Sequence, residues 1–347
     1  MILVYGATGY TGRLVLEECL ASGLQPVVAG RDAAAVEALA APHALAWRVA
    51  ALDDAAALDL LFTGVRVVIH CAGPFSRTSR RMVDACLRNG VHYLDITGEI
   101  AVFEALAARN AEARAAGVML LPGAGFDVVP SDCLAAHLKR RLPSATSLTL
   151  AFHGGTGLSR GTATTMAENA GSPGAVRRGG RIVAVPPAWR TRVIDFGDKS
   201  RLAATIPWGD VSTAFYSTGI PDIEVYAAMS PATVRSLRFS RVLAPILRLA
   251  WVRRRLVASI HRRAAGPSVQ ARAGAVARLW GEVRDGAGNR ASARLECPDG
   301  YTLTAKTVVL AARAVLDKRA IPGFQTPSLA FGADFILQVP GCARTDL

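Results

Sequence analysis

The chain has 347 residues, of which 51% are hydrophobic and 19% charged, and its net charge is +13. This is a globular composition, long enough for two domains with buried cores, and it excludes disordered, collagen-like and disulfide-scaffold classes. The positive charge is concentrated: between Val225 and Gly281 stand eleven arginines and no Asp or Glu, which supplies +11 of the +13 and argues against general nucleic-acid binding.

No apolar run reaches the ~18 residues of a membrane span. The start, Met1-Ile2-Leu3-Val4-Tyr5-Gly6, lacks a basic leader and enters an apolar run, so no signal peptide and a cytoplasmic location are expected. The six cysteines include no Cys-x-x-Cys pair, which fits reduced thiols, and no histidine stands at a zinc-site interval, so no metal site is expected.

In chain order, short β-branched runs at 2–5, 26–29, 45–49, 65–70, 91–95 and 118–121 predict six strands. Helical patterns at 13–21, 33–41, 54–62, 77–89 and 101–116 lie between them, stopped by Gly23, Pro42, Gly64, Gly90 and Gly117. Strands apolar on both faces, alternating with helices, imply a Rossmann-type, doubly wound parallel α/β sheet over residues 1–130. Ser131-Asp132 then caps a predicted helix ending at Arg141. Strand patterns at 148–152, 181–185 and 223–226, and a hairpin of 275–283 with 291–297, predict a second, largely antiparallel α+β domain over 131–303. A helix at 304–316 and a tail rich in Gly and Pro complete the chain.

Gly6-Ala7-Thr8-Gly9-Tyr10-Thr11-Gly12 follows the first strand and opens the first helix. There, glycines let the backbone approach a pyrophosphate seated on the positive helix N-terminus. About 20 residues on, where an NAD-preferring site places a carboxylate, the second strand ends in Gly30-Arg31-Asp32. The Arg31 guanidinium suits a 2′-phosphate, and Asp32 reads as the cap of the following Ala-rich helix, so NADP is the expected cofactor. The alternative has Asp32 binding the ribose hydroxyl.

Small residues in Cys71-Ala72-Gly73-Pro74 and Pro122-Gly123-Ala124-Gly125 let the backbone reach a flat ring at the carboxyl ends of the strands. Asp127 is the first acid beyond the last of these loops. It reads equally as a proton-transfer group or substrate-amine partner and as a turn or capping carboxylate. Cys71 reads as a small buried hydrophobe rather than a nucleophile, since no basic partner is in view. Phe152-His153-Gly154-Gly155-Thr156-Gly157 lacks the Gly-x-Ser-x-Gly elbow of a hydrolase and reads as a strand end and turn, with His153 a candidate for the substrate cleft. Arg241, Arg248, Arg255 and Arg262 are spaced by seven in an apolar background within 235–263. They predict one basic face of a helix, either a solvated face, a lid over an anionic substrate or a membrane contact.

These strings, with Ala29-Gly30-Arg31, Gly90 to Glu99 and Gly123 to Asp132, resemble the saccharopine dehydrogenase-like oxidoreductases, a group that includes proteins called trans-acting enoyl reductases. Ser159 to Ala163, Trp208-Gly209-Asp210, Ser217 to Pro221 and Gly323 to Pro327 extend the resemblance over nearly the whole chain. The resemblance implies an NADP-binding Rossmann domain, an α+β second domain, and C-terminal helices in 304–347 that pack back on the first domain. It also implies hydride transfer to or from a C=O, C=N or C=C substrate, acyl or amino-acid-like, in the interdomain cleft. Two departures stand out. The second domain is shorter than in true saccharopine reductases, and Ala51 stands where relatives carry an acid. The reading from another class is a catalytically silent NADP-binding scaffold or sensor at the inner face of a membrane.

Overall fold

The computed structural model describes residues 1–154, 157–262 and 265–347. Residues 1–127 with 301–330 form one compact unit, and 128–300 with 331–347 form a second.

In the first unit β1 (Ile2–Tyr5), α1 (Tyr10–Ala21), β2 (Val27–Gly30), α2 (Ala33–Ala40), β3 (Trp47–Val49), α3 (Ala55–Leu61), β4 (Val67–His70), α4 (Phe75–Asn89), β5 (His92–Asp95), α5 (Ile100–Ala107), α6 (Asn110–Ala115) and β6 (Met119–Leu121) follow one another. Strands β1, β2, β4, β5 and β6 are buried at every residue, as the continuous apolar runs require of a sheet covered on both faces. The predicted helix over 101–116 is two helices. The chain turns at Arg109, whose guanidinium pairs with Asp84 of α4 at 2.6 Å and with Glu112 at 2.7 Å.

The second unit runs α7 (Val129–Arg141), β7 (Ser147–His153), α8 (Arg160–Glu168), β8 (Gly174–Arg178), β9 (Arg181–Val185), β10 (Thr191–Asp195), β11 (Ser200–Thr205), α9 (Asp210–Thr218), β12 (Asp222–Ala228), α10 (Pro231–Leu247), α11 (Ala250–His261), α12 (Val269–Arg272), β13 (Val276–Arg284) and β14 (Arg290–Pro298). Its sheet is mixed, in the order β10-β11-β12-β7-β13-β14, with β8 and β9 off that path. The β12–β7 pair is parallel and the others are antiparallel. Ser131-Asp132 is not the cap of α7. The helix starts at Val129 with Pro130 in its first turn, where a missing N–H is harmless. Both polar side chains turn into the unit instead, Ser131 donating to Asp210 at 2.7 Å and Asp132 accepting from Ser217 of α9.

The basic segment also differs from expectation. Pro245 sits inside α10, which ends at Leu247, and Leu249 is extended before α11 begins. Arg241 and Arg255 therefore lie on different helices, and the spacing of seven does not make one face. Arg263, like Gly155 and Thr156, lies outside the described residues.

After β14 the chain returns to the first unit with α13 (Gly300–Leu316), β15 (Gly323–Phe324) and α14 (Pro327–Phe331). β15 adds beside β6 and completes a seven-stranded parallel sheet, β15-β6-β5-β4-β1-β2-β3. The tail does not pack whole on the first unit. Residues 331–347 belong to the second, because β16 (Ala343–Asp346) pairs antiparallel with β14 and Asp346 pairs with His137 at 2.7 Å.

Candidate cofactor site

The strand order of the first sheet reverses between β1 and β4, since the connections run outward on either side of that parallel pair. In such a sheet the crevice at the carboxyl ends of the two strands is where ligands bind. The turn after β1 is built for close approach. Gly6 has φ +79°, and a Cβ there would stand 2.8 Å from the Ala72 nitrogen; one on Gly12 would overlap the Gly6 carbonyl oxygen and stand 2.8 Å from Ala7 Cα. Gly9 is the N-cap of α1 and provides no side-chain cap, which leaves the positive end of the helix to an anion.

Arg31 follows β2 and is exposed, while Asp32 caps α2 by accepting from the Ala35 nitrogen at 3.1 Å. Tyr5 donates to the Ala50 carbonyl at 2.9 Å. Burial raises its phenol, and the nearby Arg31 charge opposes that rise.

After β4, Cys71 to Pro74 lead into α4. Cys71 is half-buried, and desolvation pushes its thiol above the ordinary value, which suits a small apolar group better than a nucleophilic thiolate. The N-terminus of α4 is capped from another loop: Glu99 accepts from Phe75 N at 2.7 Å and Ser76 N at 3.2 Å.

Asp95, at the end of β5, is fully buried. Its Oδ1 accepts from Thr97 N at 3.0 Å and Gly123 N at 2.8 Å, and its Oδ2 accepts from the Tyr93 hydroxyl at 2.7 Å. Desolvation raises the Asp95 carboxyl to about 6 against these hydrogen bonds. The Tyr93 oxygen in turn lies 3.2 Å from Nδ1 of His70, a buried imidazole that desolvation lowers to about 3 and thus keeps neutral.

Asp127 closes the 122–127 loop. A Cβ on Gly98 would stand 2.5 Å from its Oδ2, so the carboxylate lies against the loop after β5. Desolvation alone raises its carboxyl to about 7. The loop is held from behind by α13, with Thr304 Oγ1 accepting from Phe126 N at 3.0 Å and Thr307 donating to the Ala124 carbonyl at 2.8 Å.

The first unit thus brings together Gly6 to Gly12, Cys71 to Pro74 and Gly123 to Asp127, with Arg31 at the end of the neighbouring β2. The sequence alone assigns no role to His70, Tyr93 or Asp95. The available signal was an acid two residues after a tyrosine on one strand face, inside an otherwise apolar run. His153 lies at the end of β7 in the second unit, its ring 5.8 Å from that of Phe196.

Comparison with known proteins bears on the cofactor of this site. Residues 2–121 match the family described as the saccharopine dehydrogenase NADP binding domain. Over that stretch the chain is similar to an NADP binding domain of the saccharopine dehydrogenase type. A trans-acting enoyl reductase of Mycobacterium leprae (strain TN) is 33% identical over 149 residues, 41% of this chain and 36% of that protein. A saccharopine dehydrogenase-like oxidoreductase of Mus musculus is 26% identical over 221 residues, 58% of this chain and 47% of that protein. The matches thus span about a third to a half of the length of these relatives. The apo saccharopine dehydrogenase (L-Glu forming) of Saccharomyces cerevisiae has the same fold, with a TM-score of 0.67 over 100% of this chain and 99% of that one at 13% identity. The family match ends at residue 121, so it bears on the cofactor and not on the substrate.

Proposed function

We propose that this chain is an NADP(H)-dependent oxidoreductase acting on a small molecule with a C=O, C=N or C=C bond, acyl or amino-acid-like. The observation that carries the reading is the turn after β1. Gly6 and Gly12 leave no room for a side chain, and the uncapped end of α1 offers backbone N–H groups, all at the reversal point of a parallel sheet.

In this reading Gly6, Ala7, Thr8, Gly9, Tyr10, Thr11 and Gly12 hold the pyrophosphate, and Arg31 holds the 2′-phosphate by charge-assisted hydrogen bonds. Cys71, Ala72, Gly73, Pro74, Gly123 and Ala124 border the nicotinamide through backbone and small side chains. The bound dinucleotide supplies hydride at C4 of its ring. Asp127, with its carboxyl at about 7, holds a proton for part of the population near neutral pH and gives it to the substrate atom that gains negative character. Asp95 acts through the loops it holds, since its oxygens are spent on Gly123, Thr97 and Tyr93.

The partners proposed are this small-molecule substrate and, through residues 235–263, a membrane surface; nucleic acid is not among them. Following NADPH oxidation against a panel of imine, enoyl and carbonyl compounds tests the reading. Turnover with one class supports it. Tight NADPH binding without turnover on any class favours the catalytically silent scaffold or sensor.

A further inference from the structure

Helices α10 and α11 carry a surface that the proposed chemistry does not use. Toward its own unit α10 buries Val234 and half-buries Leu237, Ser240, Ala244 and Leu247. On the other face Phe239, Val242, Leu243 and Ile246, at i, i+3, i+4 and i+7, are 64%, 71%, 40% and 52% exposed. An amphipathic helix of a water-facing surface shows the opposite arrangement. The apolar exposure continues through Leu249 at the joint into Trp251, at 45% and 54%.

Cations flank this surface. Arg235 is exposed one turn before Phe239, and α11 exposes Arg254 and Arg255, the latter with its guanidinium carbon 5.9 Å from the Trp251 ring centroid. Other arginines fasten the helices down. Arg238 Nε donates to the Ala188 carbonyl at 3.2 Å, Arg248 Nε to Gly171 at 2.9 Å and Arg253 to Ala170 at 3.3 Å. No acid occurs from Val225 to Gly281.

We infer that this face docks on an anionic lipid bilayer. Exposed Phe, Leu, Ile and Trp beside arginines match the boundary between headgroups and acyl chains, where the rings and aliphatic groups leave water and the guanidinium groups meet phosphate. A second copy of the chain is a poor occupant, because a two-fold interface sets like against like and would oppose two acid-free arginine surfaces. Among the described residues no helix is long and apolar enough to cross a membrane, so the contact is peripheral. The inference does not rest on the oxidoreductase reading.

Flotation of the whole chain with phosphatidylcholine vesicles, with and without phosphatidylglycerol, at low and high salt, tests it. The wild type floats with the phosphatidylglycerol vesicles at low salt, and high salt or pure phosphatidylcholine lowers its partition more than about tenfold. Each arginine near an anionic surface contributes roughly fivefold, so the Arg235→Glu, Arg254→Glu, Arg255→Glu triple variant loses about a hundredfold or more. The corresponding triple Lys variant stays within a few-fold of wild type. Phosphatidylglycerol vesicles shift Trp fluorescence to the blue, and Trp251→Phe removes the shift. NADPH titration of the same variants, all altered on the second unit's surface, gives wild-type affinity, which separates this result from that for the cofactor site. Wild type remaining in the aqueous fraction at low salt, or a Glu triple variant that binds equally well, overturns the inference. So does self-association through Phe239 without vesicle binding.

Discussion

The Asp95 carboxylate reaches across from β5 to the loop after β6, where its Oδ1 lies 2.8 Å from the Gly123 nitrogen. The same oxygen takes the Thr97 N–H, and the Asp95 carbonyl takes the Ala124 N–H at 2.7 Å. One buried side chain thus fixes the two loops that border the proposed nicotinamide position. Asp95→Ala strands two buried backbone donors, each costing about 1–3 kcal/mol. Asp95→Asn keeps an acceptor in place and should cost much less. Thermal unfolding of both variants checks this. Equal melting temperatures for Ala and Asn would show that the loops do not depend on this oxygen.

Glu99 does similar work for α4, by accepting from the first N–H groups of the helix. Glu99→Ala should cost about 1–2 kcal/mol, the range of a lost N-cap, and Glu99→Gln less. Denaturant titration reads the difference, and an unchanged midpoint in the Ala variant would remove the capping role.

Asp127 makes the pH-dependent prediction. Its folded value of about 7 lies above the ordinary 3.8, so the folded state favours the protonated form. Its contribution to stability is therefore intact below pH about 4 and is lost as pH rises through about 7. Asp127→Asn should flatten that fall, seen as a smaller drop in melting temperature between pH 5 and pH 8. If the same carboxyl donates the proton during reduction, turnover falls above pH about 7, and Asp127→Asn lowers it roughly 10²–10⁴-fold with little change in NADPH affinity. A fully active Asn variant would leave Asp127 a purely structural group.

The parallel sheet was legible because strands buried on both faces read as unbroken apolar runs, and glycines stop the helices between them. The turn after β1 was legible for a related reason: close backbone approach demands glycine, and glycine is visible in sequence. The Asp95–Tyr93–His70 chain was not, since it depends on β4 and β5 lying side by side, with His70 opposite Asp95 in register. The seven-residue spacing of arginines misled because a heptad implies one face only while a helix continues, and Pro245 and Leu249 interrupt it. Ser131 and Asp132 look like a cap in sequence. Their partners, Asp210 and Ser217, lie far along the chain, where no local pattern announces them.

The central claim is that an NADP(H) site lies at this sheet reversal, with selectivity set at Arg31. The pyrophosphate is common to both dinucleotides, so discrimination rests on the group facing the adenosine ribose. A charge-assisted hydrogen bond there is worth ~1.5–3 kcal/mol, or roughly 10- to 150-fold in affinity. Nicotinamide fluorescence titration of wild type and Arg31→Ala with NADPH and NADH measures it directly. The expected result is tighter NADPH binding by the wild type, lost by about that factor in Arg31→Ala, with NADH nearly unchanged. Tighter NADH binding by the wild type, or no binding of either cofactor, would contradict the account.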